Sequence, residues 1–240
     1  MSEKRFEDRL ALITGASRGI GFWVARALAA QGAHVICCGR TQGGLEDLDD
    51  RIKKDGAGSA TLVPFDITDG DAIDNLAAQI YERWKKLDIL IANAGVLGQM
   101  SPLSHIKPDD FEKTIAVNLT ANFRLIRAFD PLLRQSSAGR AVFVSTGAVG
   151  EHRAYWGGYS TAKAALENLA FTYANETLQS NVKVNVIDPG RTRTAMRAAA
   201  KPGEDPNTLK HPSEITEPFL TLADAAYQET GERVLAQPDL

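Results

Sequence analysis

Short apolar runs alternate along the chain with longer stretches in which apolar residues recur every three or four positions. The runs Leu10–Thr14, His34–Cys38, Ala60–Phe65, Leu87–Ala92, Arg140–Ser145 and Val182–Ile187 predict strands. They are apolar at successive positions, as strands buried on both faces must be. Between them, Ile20–Ala30, Leu45–Lys54, Ala72–Trp84, Asp109–Leu133 and Tyr159–Leu178 carry the helical period, and Gly32 and Gly56 close the first two. Ser213–Ala226 predicts a further helix and Glu232–Ala236 a last short strand. Strict β–α alternation implies a parallel sheet with helices on both faces. Right-handed crossovers make a doubly wound α/β sheet of about seven strands the economical topology.

One segment breaks the rhythm. Arg191–Ser213 holds Pro202, Gly203, Pro206 and Pro212 among polar residues, with a helical piece at Arg193–Ala200. It is too long for an ordinary connection and follows the C-terminal end of the sixth strand, where open α/β sheets bind ligands. It is expected to be a flap over a substrate cleft. With no repeat, low-complexity tract or linker, residues 1–240 read as a single domain.

Composition narrows the partner classes. The 240 residues are 44% hydrophobic and 24% charged, with net charge −3 and no basic stripe, so nucleic acid is not an expected partner. No apolar run reaches membrane-spanning length, and the charged stretch Met1–Arg9 is not followed by the apolar h-region of a secretory signal, so none is expected. A cytoplasmic protein is expected. Cys37 and Cys38 are neighbours in a strand, so their side chains point to opposite faces and read as two reduced, buried thiols. The four histidines, His34, His105, His152 and His211, have no ligand spacing, so no metal site is expected.

The chemistry concentrates in two places. Gly15, Gly19 and Gly21 lie between a predicted strand and a predicted helix. In that context glycines permit a tight turn and a close approach of helix N-terminal amides to a pyrophosphate. Downstream, Tyr159 and Lys163 stand four residues apart, on one face of a helix. A free phenol titrates near pH ~10, and a neighbouring ammonium lowers that value. The pair is expected to work as a proton donor and acceptor beside a nucleotide cofactor, within a Rossmann-like domain.

Five motifs in register, Thr14-Gly-x-x-x-Gly-x-Gly21, Asn93-Ala-Gly95, Asn118, Tyr159-x-x-x-Lys163 and Pro189-Gly190, resemble the classical short-chain dehydrogenase/reductase family from about Arg9 to Ala236. The resemblance extends to a bacterial branch of unassigned substrate. It implies hydride transfer between a nicotinamide cofactor and a carbonyl/alcohol pair. By it, Tyr159 exchanges the proton with the substrate oxygen, Lys163 binds the nicotinamide ribose and lowers the phenol pKa, and Asn118 supports a water-linked relay. Gly15, Ser17, Arg18, Gly19, Ile20 and Gly21 would hold the cofactor. So would Asp66 and Ile67 at the adenine, Asn93, Ala94 and Gly95 along the cleft, and Pro189, Gly190, Thr192 and Thr194 at the nicotinamide and phosphates. The family's substrate-binding serine falls, thirteen residues before Tyr159, on Thr146, with Ser145 as the alternative. The family commonly builds a dimer interface from the two long helices, so a homodimer or homotetramer is expected.

Charge argues for the cofactor. NAD-preferring members carry an acidic residue at the end of the second strand. Here Gly39 and Arg40 stand there, and Arg18 lies in the glycine loop. Two guanidiniums favour a 2′-phosphate, so NADP(H) is expected over NAD(H). The loop holding His152, Arg153, Tyr155 and Trp156 would border the substrate. A weakly catalytic nucleotide sensor on the same fold is the competing reading. An epimerase or dehydratase of the family's extended branch is disfavoured by the spacing of Gly15, Gly19 and Gly21.

Overall fold

Side chains along each central strand turn alternately into two apolar layers. In β1 (Leu10–Thr14), Ala11 and Ile13 join one layer, Leu10 and Leu12 the other. The same split runs through β4 (Ile89–Ala92) and β5 (Arg140–Val144). In β2 (His34–Gly39) it separates the two cysteines: Cys37 faces the first layer and Cys38 the second, both buried. With β3 (Ser59–Pro64), β6 (Lys183–Asp188) and β7 (Arg233–Leu235) these strands form one seven-stranded parallel sheet, in the order β3-β2-β1-β4-β5-β6-β7. The computed structural model describes residues 4–56 and 58–238. Residues 1–3, at the head of the charged N-terminal stretch, and residues 57, 239 and 240 lie outside the described residues.

Helices cover both faces. Leu28 of α1 (Gly19–Ala30), Leu48 of α2 (Gln42–Asp55) and Phe219 of α8 (Glu217–Ala223) fill the first layer. Ile80 of α3 (Gly70–Trp84), Phe129 of α5 (Ala121–Gln135) and Leu166 of α6 (Gly157–Glu176) fill the second. The result is the doubly wound, Rossmann-like α/β fold expected from the alternation.

Two predicted helices differ. Asp109–Leu133 is not one helix. It runs as α4 (Pro108–Ile115), a π turn at Ala116–Thr120, and α5. A hydrophobic period cannot register one wide turn inside an otherwise helical run. Ser213–Ala226 divides into a 3-10 turn at Pro212–Ile215 and the short α8, each opened by a proline near its start.

Buried charge ties down the edge where the strands begin. Asp88 accepts from the Leu10 amide at 2.9 Å and the Ser136 hydroxyl at 2.6 Å. Arg140, 1% exposed, donates to the carbonyls of Gly139, Asn181, Asp224 and Ala225. The opposite edge, where the strands end, is left open for a site. Among the described residues no helix is long and apolar enough to cross a membrane, and no group of three or more His, Cys, Asp or Glu could hold a metal ion.

Candidate active site

The sheet order reverses between β1 and β4, and the glycine turn sits at that switch point. Gly15 and Gly19 have φ of 66° and 62°, conformations that favour glycine. A Cβ at Gly21 would fall 2.5 Å from the Gly15 carbonyl oxygen, so the first turn of α1 needs glycine to lie against the loop. The turn is clamped from β4. The Asn93 and Ala94 amides both donate to the Thr14 hydroxyl at 3.0 Å, and Asn93 Nδ2 donates to the Thr14 carbonyl at 2.9 Å. Arg18 is the N-cap of α1 and makes no side-chain cap, so its guanidinium is not spent on the helix. The N-terminus of α1 and this turn present amides and a positive dipole to one spot.

A cavity of about 1020 Å³ opens above this edge. Of the residues expected to bind cofactor, Gly15, Ser17, Arg18, Gly19, Ile20, Arg40, Asp66, Ile67, Asn93, Ala94, Gly95, Pro189 and Thr194 line it, together with Tyr159 and Lys163. Gly21, Gly190 and Thr192 do not. Gly21 packs behind the turn, Gly190 takes φ of 69°, and the Thr192 hydroxyl is buried, donating to the Pro189 carbonyl at 3.1 Å. These three shape the walls from behind. Asp66 accepts from the Thr68 amide and hydroxyl, which hold its carboxyl below the usual range, and it lies 3.8 Å from Arg40. Thr194 caps α7 (Ala195–Ala200) by accepting from the Arg197 amide. Its glycine turn, helix start and exposed arginines give the cavity the donor set a dinucleotide phosphate requires.

The proton chemistry corrects one expectation. Tyr159 does not titrate low. Burial pushes its phenol up to about 12, a nearby Asp188 charge adds to the rise, and only a hydrogen bond with Thr146 opposes it. Lys163 is 3% exposed and donates to the Val144 carbonyl at 2.7 Å. Burial brings its ammonium down to about 8, and Glu167 works the other way. Desolvation outweighs the opposing influence in each case, that of the Thr146 hydroxyl for Tyr159 and that of the Glu167 charge for Lys163. Asn118 lies in the π turn with its carboxamide committed to Val96, accepting from the amide at 3.1 Å and donating to the carbonyl at 2.9 Å. A Cβ on Gly95 would sit 3.0 Å from Asn118 Oδ1 and 3.7 Å from Lys163 Nζ, so glycine there keeps the three groups together.

The two hydroxyl candidates part company. Ser145 borders the cavity, but its hydroxyl donates to Glu167 at 2.5 Å. Thr146 lies outside the lining; its hydroxyl accepts from the Ala148 amide at 3.2 Å and stands near enough to the Tyr159 phenol to favour its ionised form. Behind them stands a charged cluster that sequence reasoning missed. Arg233 donates to Glu167 at 3.0 Å, to the Thr146 carbonyl at 3.0 Å and to Asp188 at 3.3 Å. Glu167 could have been noticed, since it falls one turn after Lys163 on the same helix face. Gln237 was missed too: its amide donates to the Pro189 carbonyl at 2.7 Å and to Thr192.

The expected flap is stitched and docked. Thr192 and Lys210 bridge its two ends, Arg197 pairs with Glu204 at 2.5 Å, and His211 meets Trp23 edge-on at 5.0 Å. Thr194, Ala195, Met196 and His211 form part of the cavity lining. In the loop before α6, His152 and Tyr155 take φ of 51° and 74°, and Arg153 pairs with Glu151. Trp156 turns inward to pack with Ala148 and Tyr159, against Leu97, Met100 and Ala200. The surface beside the phenol is therefore apolar.

The chain belongs to the short chain dehydrogenase family, whose model matches residues 9–205. It is an oxidoreductase of that family. It is 38% identical over 234 residues to the uncharacterized oxidoreductase YciK of Escherichia coli (strain K12), covering 96% of this chain and 92% of that one. A short chain dehydrogenase of Pseudomonas syringae superposes with a TM-score of 0.95 at 36% identity, covering 98% of this chain and 97% of that one. A short chain dehydrogenase of Shigella flexneri, solved complexed with NADP, gives a TM-score of 0.94 at 37% identity over 99% of this chain and all of its own.

Proposed function

We propose that this protein is an NADP(H)-dependent oxidoreductase that interconverts a carbonyl and an alcohol, with Tyr159 as the acid/base. The observation that carries this reading is that the glycine turn, Tyr159 and Lys163 line one cavity at the switch point of the sheet. A nicotinamide dinucleotide bound there supplies the hydride in reduction and accepts it in oxidation. In reduction, Tyr159 gives its proton to the carbonyl oxygen, and burial keeps that proton in place until it is needed. Thr146 orients the oxygen from beside the phenol. Lys163, with Asn118 and Gly95 against it, resupplies the proton through a relay that opens on the cavity. Arg18 and Arg40 hold a 2′-phosphate, Asp66 and Ile67 border the adenine, and the Pro189–Thr194 turn borders the nicotinamide end. The relative solved with NADP supports the same cofactor choice.

The apolar surface of Leu97, Met100, Ala148 and Trp156 favours a substrate with a hydrophobic flank next to its carbonyl. The Arg191–Ser213 flap closes the other side. The whole of 1–240 acts as one domain, a cytoplasmic homodimer or homotetramer joined through the α5 and α6 faces. Phe123 of α5, 51% exposed, supplies an apolar contact for that interface.

Fluorescence titration with NADPH and NADH, followed by a carbonyl panel with the tighter cofactor, tests the reading. NADPH binds more tightly, and Tyr159→Phe retains binding while losing turnover. Unchanged turnover in Tyr159→Phe would sink the acid/base assignment. NADPH binding with no turnover of any carbonyl by the wild-type chain would favour the sensor.

A further inference from the structure

The catalytic wall is built from the end of β5, the middle of α6 and the end of β6. One side chain from the three-residue strand β7 reaches all three. Arg233 Nε donates to Glu167 Oε1 on α6 at 3.0 Å, and its Nη2 donates to the Thr146 carbonyl at 3.0 Å and to Asp188 Oδ2 on β6 at 3.3 Å. The partners are tied in turn. Glu167 Oε1 also accepts from the Ser145 hydroxyl at 2.5 Å, and Asp188 Oδ1 accepts from the Gly190 amide at 3.0 Å. We propose that Arg233 is a positioning residue of the active site, which through the Thr146 main chain fixes the hydroxyl that Tyr159 works against. The proposal rests on the reading of Tyr159 and Thr146 given above.

The arrangement exceeds what stability alone asks for. Glu167 and Asp188 are 7% and 6% exposed, so each carboxylate needs a cation, and apolar residues of the same volume would hold the fold as well. What an apolar core cannot do is aim a main-chain carbonyl. Threonine is stiff at χ1, so a fixed Thr146 peptide fixes where its hydroxyl points. The planar fork of arginine can serve a carboxylate and a carbonyl in set directions at once, whereas lysine offers a compact charge without that fork. Asp188 lies close behind the same peptide, since a Cβ on Gly147 would come within 3.2 Å of its Oδ2. The guanidinium therefore links the residue beside the phenol to the turn that begins Pro189–Gly190.

The test compares Arg233→Lys and Arg233→Met with the wild-type chain, using NADPH and three probe carbonyls: an aromatic o-quinone, an aliphatic 3-oxo ester and an α-keto ester. Arg233→Lys keeps the charge that Glu167 and Asp188 require and guards against loss of folding in Arg233→Met. We expect both variants to bind NADPH within a few-fold of wild type and Arg233→Lys to leave KM nearly unchanged, while kcat falls at least ~10-fold. In crystals of Arg233→Lys with NADPH, the Thr146 hydroxyl should be displaced from Tyr159. A merely structural arginine would lower thermal stability and leave kcat alone. The inference is overturned if kcat stays within twofold in Arg233→Lys, or if the Thr146–Tyr159 contact survives unchanged in the crystals. A wild-type chain that reduces none of the three carbonyls would count against the functional reading, and the crystals would still decide the position of Thr146.

Discussion

The Lys163 ammonium donates to the Val144 carbonyl at 2.7 Å, one helical turn beyond Tyr159. That bond anchors the lysine to the end of β5 and sets it in a dry site. With the ammonium brought down to about 8 and the phenol raised to about 12, the two groups separate their duties. Tyr159 stays protonated across the working range, and the lysine is the group that changes charge within it.

The sign follows from those directions. Below about 8 the lysine is charged and can return a proton to the phenol; above it the relay runs short. The kcat/KM for reduction should be level in the acid range and fall as pH rises through about 8, the free enzyme's ionisation being the one that kcat/KM reports. Tyr159, Glu167 and Asp188 face this region, and Tyr159, raised to about 12, keeps its proton over that interval. Lys163→Met should remove the inflection and lower the rate ~100-fold. A rate profile with NADPH from pH 6 to 10 checks both.

Thr146→Val deletes the hydroxyl while keeping the branched shape. It should lower kcat ~100-fold, a hydroxyl aimed at the developing charge being worth that much, with NADPH affinity preserved. Thr146→Ser should recover most of the loss. Steady-state kinetics and a cofactor titration on the three proteins decide it.

Arg18 and Arg40 are exposed at the cavity mouth, and Arg40 lies 3.8 Å from Asp66, its only ion-pair partner among the described residues. A charge-assisted hydrogen bond contributes about 1.5–3 kcal/mol. Arg18→Ala with Arg40→Ala should therefore weaken NADPH by ~100-fold or more and NADH by only a few-fold. Equal losses for both cofactors would remove the 2′-phosphate assignment.

Gly21→Ala forces a Cβ within 2.5 Å of the Gly15 carbonyl oxygen and 2.4 Å of Asn93 Nδ2. The loop must move off α1, at about 1–3 kcal/mol. Thermal melting should show a lower Tm, and the melt should no longer respond to added NADPH. Trp156→Ala gives a contrasting outcome: with the apolar wall beside Tyr159 cut back, KM for a hydrophobic carbonyl should rise while cofactor binding holds.

The fold and most of the cofactor cleft were legible in the sequence because they rest on local rules. Six strands announced themselves as apolar runs, and Gly15, Gly19, Tyr159 and Lys163 came out on one cavity because spacing along one strand-turn-helix and one helix fixes them. What was not legible depends on burial and on distant chain segments. The direction of the Tyr159 shift could not be read without knowing how dry its site is. The roles of Arg233 and Gln237 required β7 to be placed beside β6, which no local pattern encodes. The committed carboxamide of Asn118 was hidden for the same reason, since its partner Val96 lies 22 positions away.

The wide turn at Ala116–Thr120 carries a consequence for how this chain tolerates change. Such a turn amounts to one surplus residue in an otherwise regular spiral. Deleting a single residue between α4 and α5 would heal the spiral and swing everything on one side of it by about 100°. Asn118 would leave Val96, and the backbone facing Lys163 would lose its brace. A shortening that looks harmless by the standards of helix formation would thus dismantle the proton-handling side of the molecule while leaving its nucleotide side untouched.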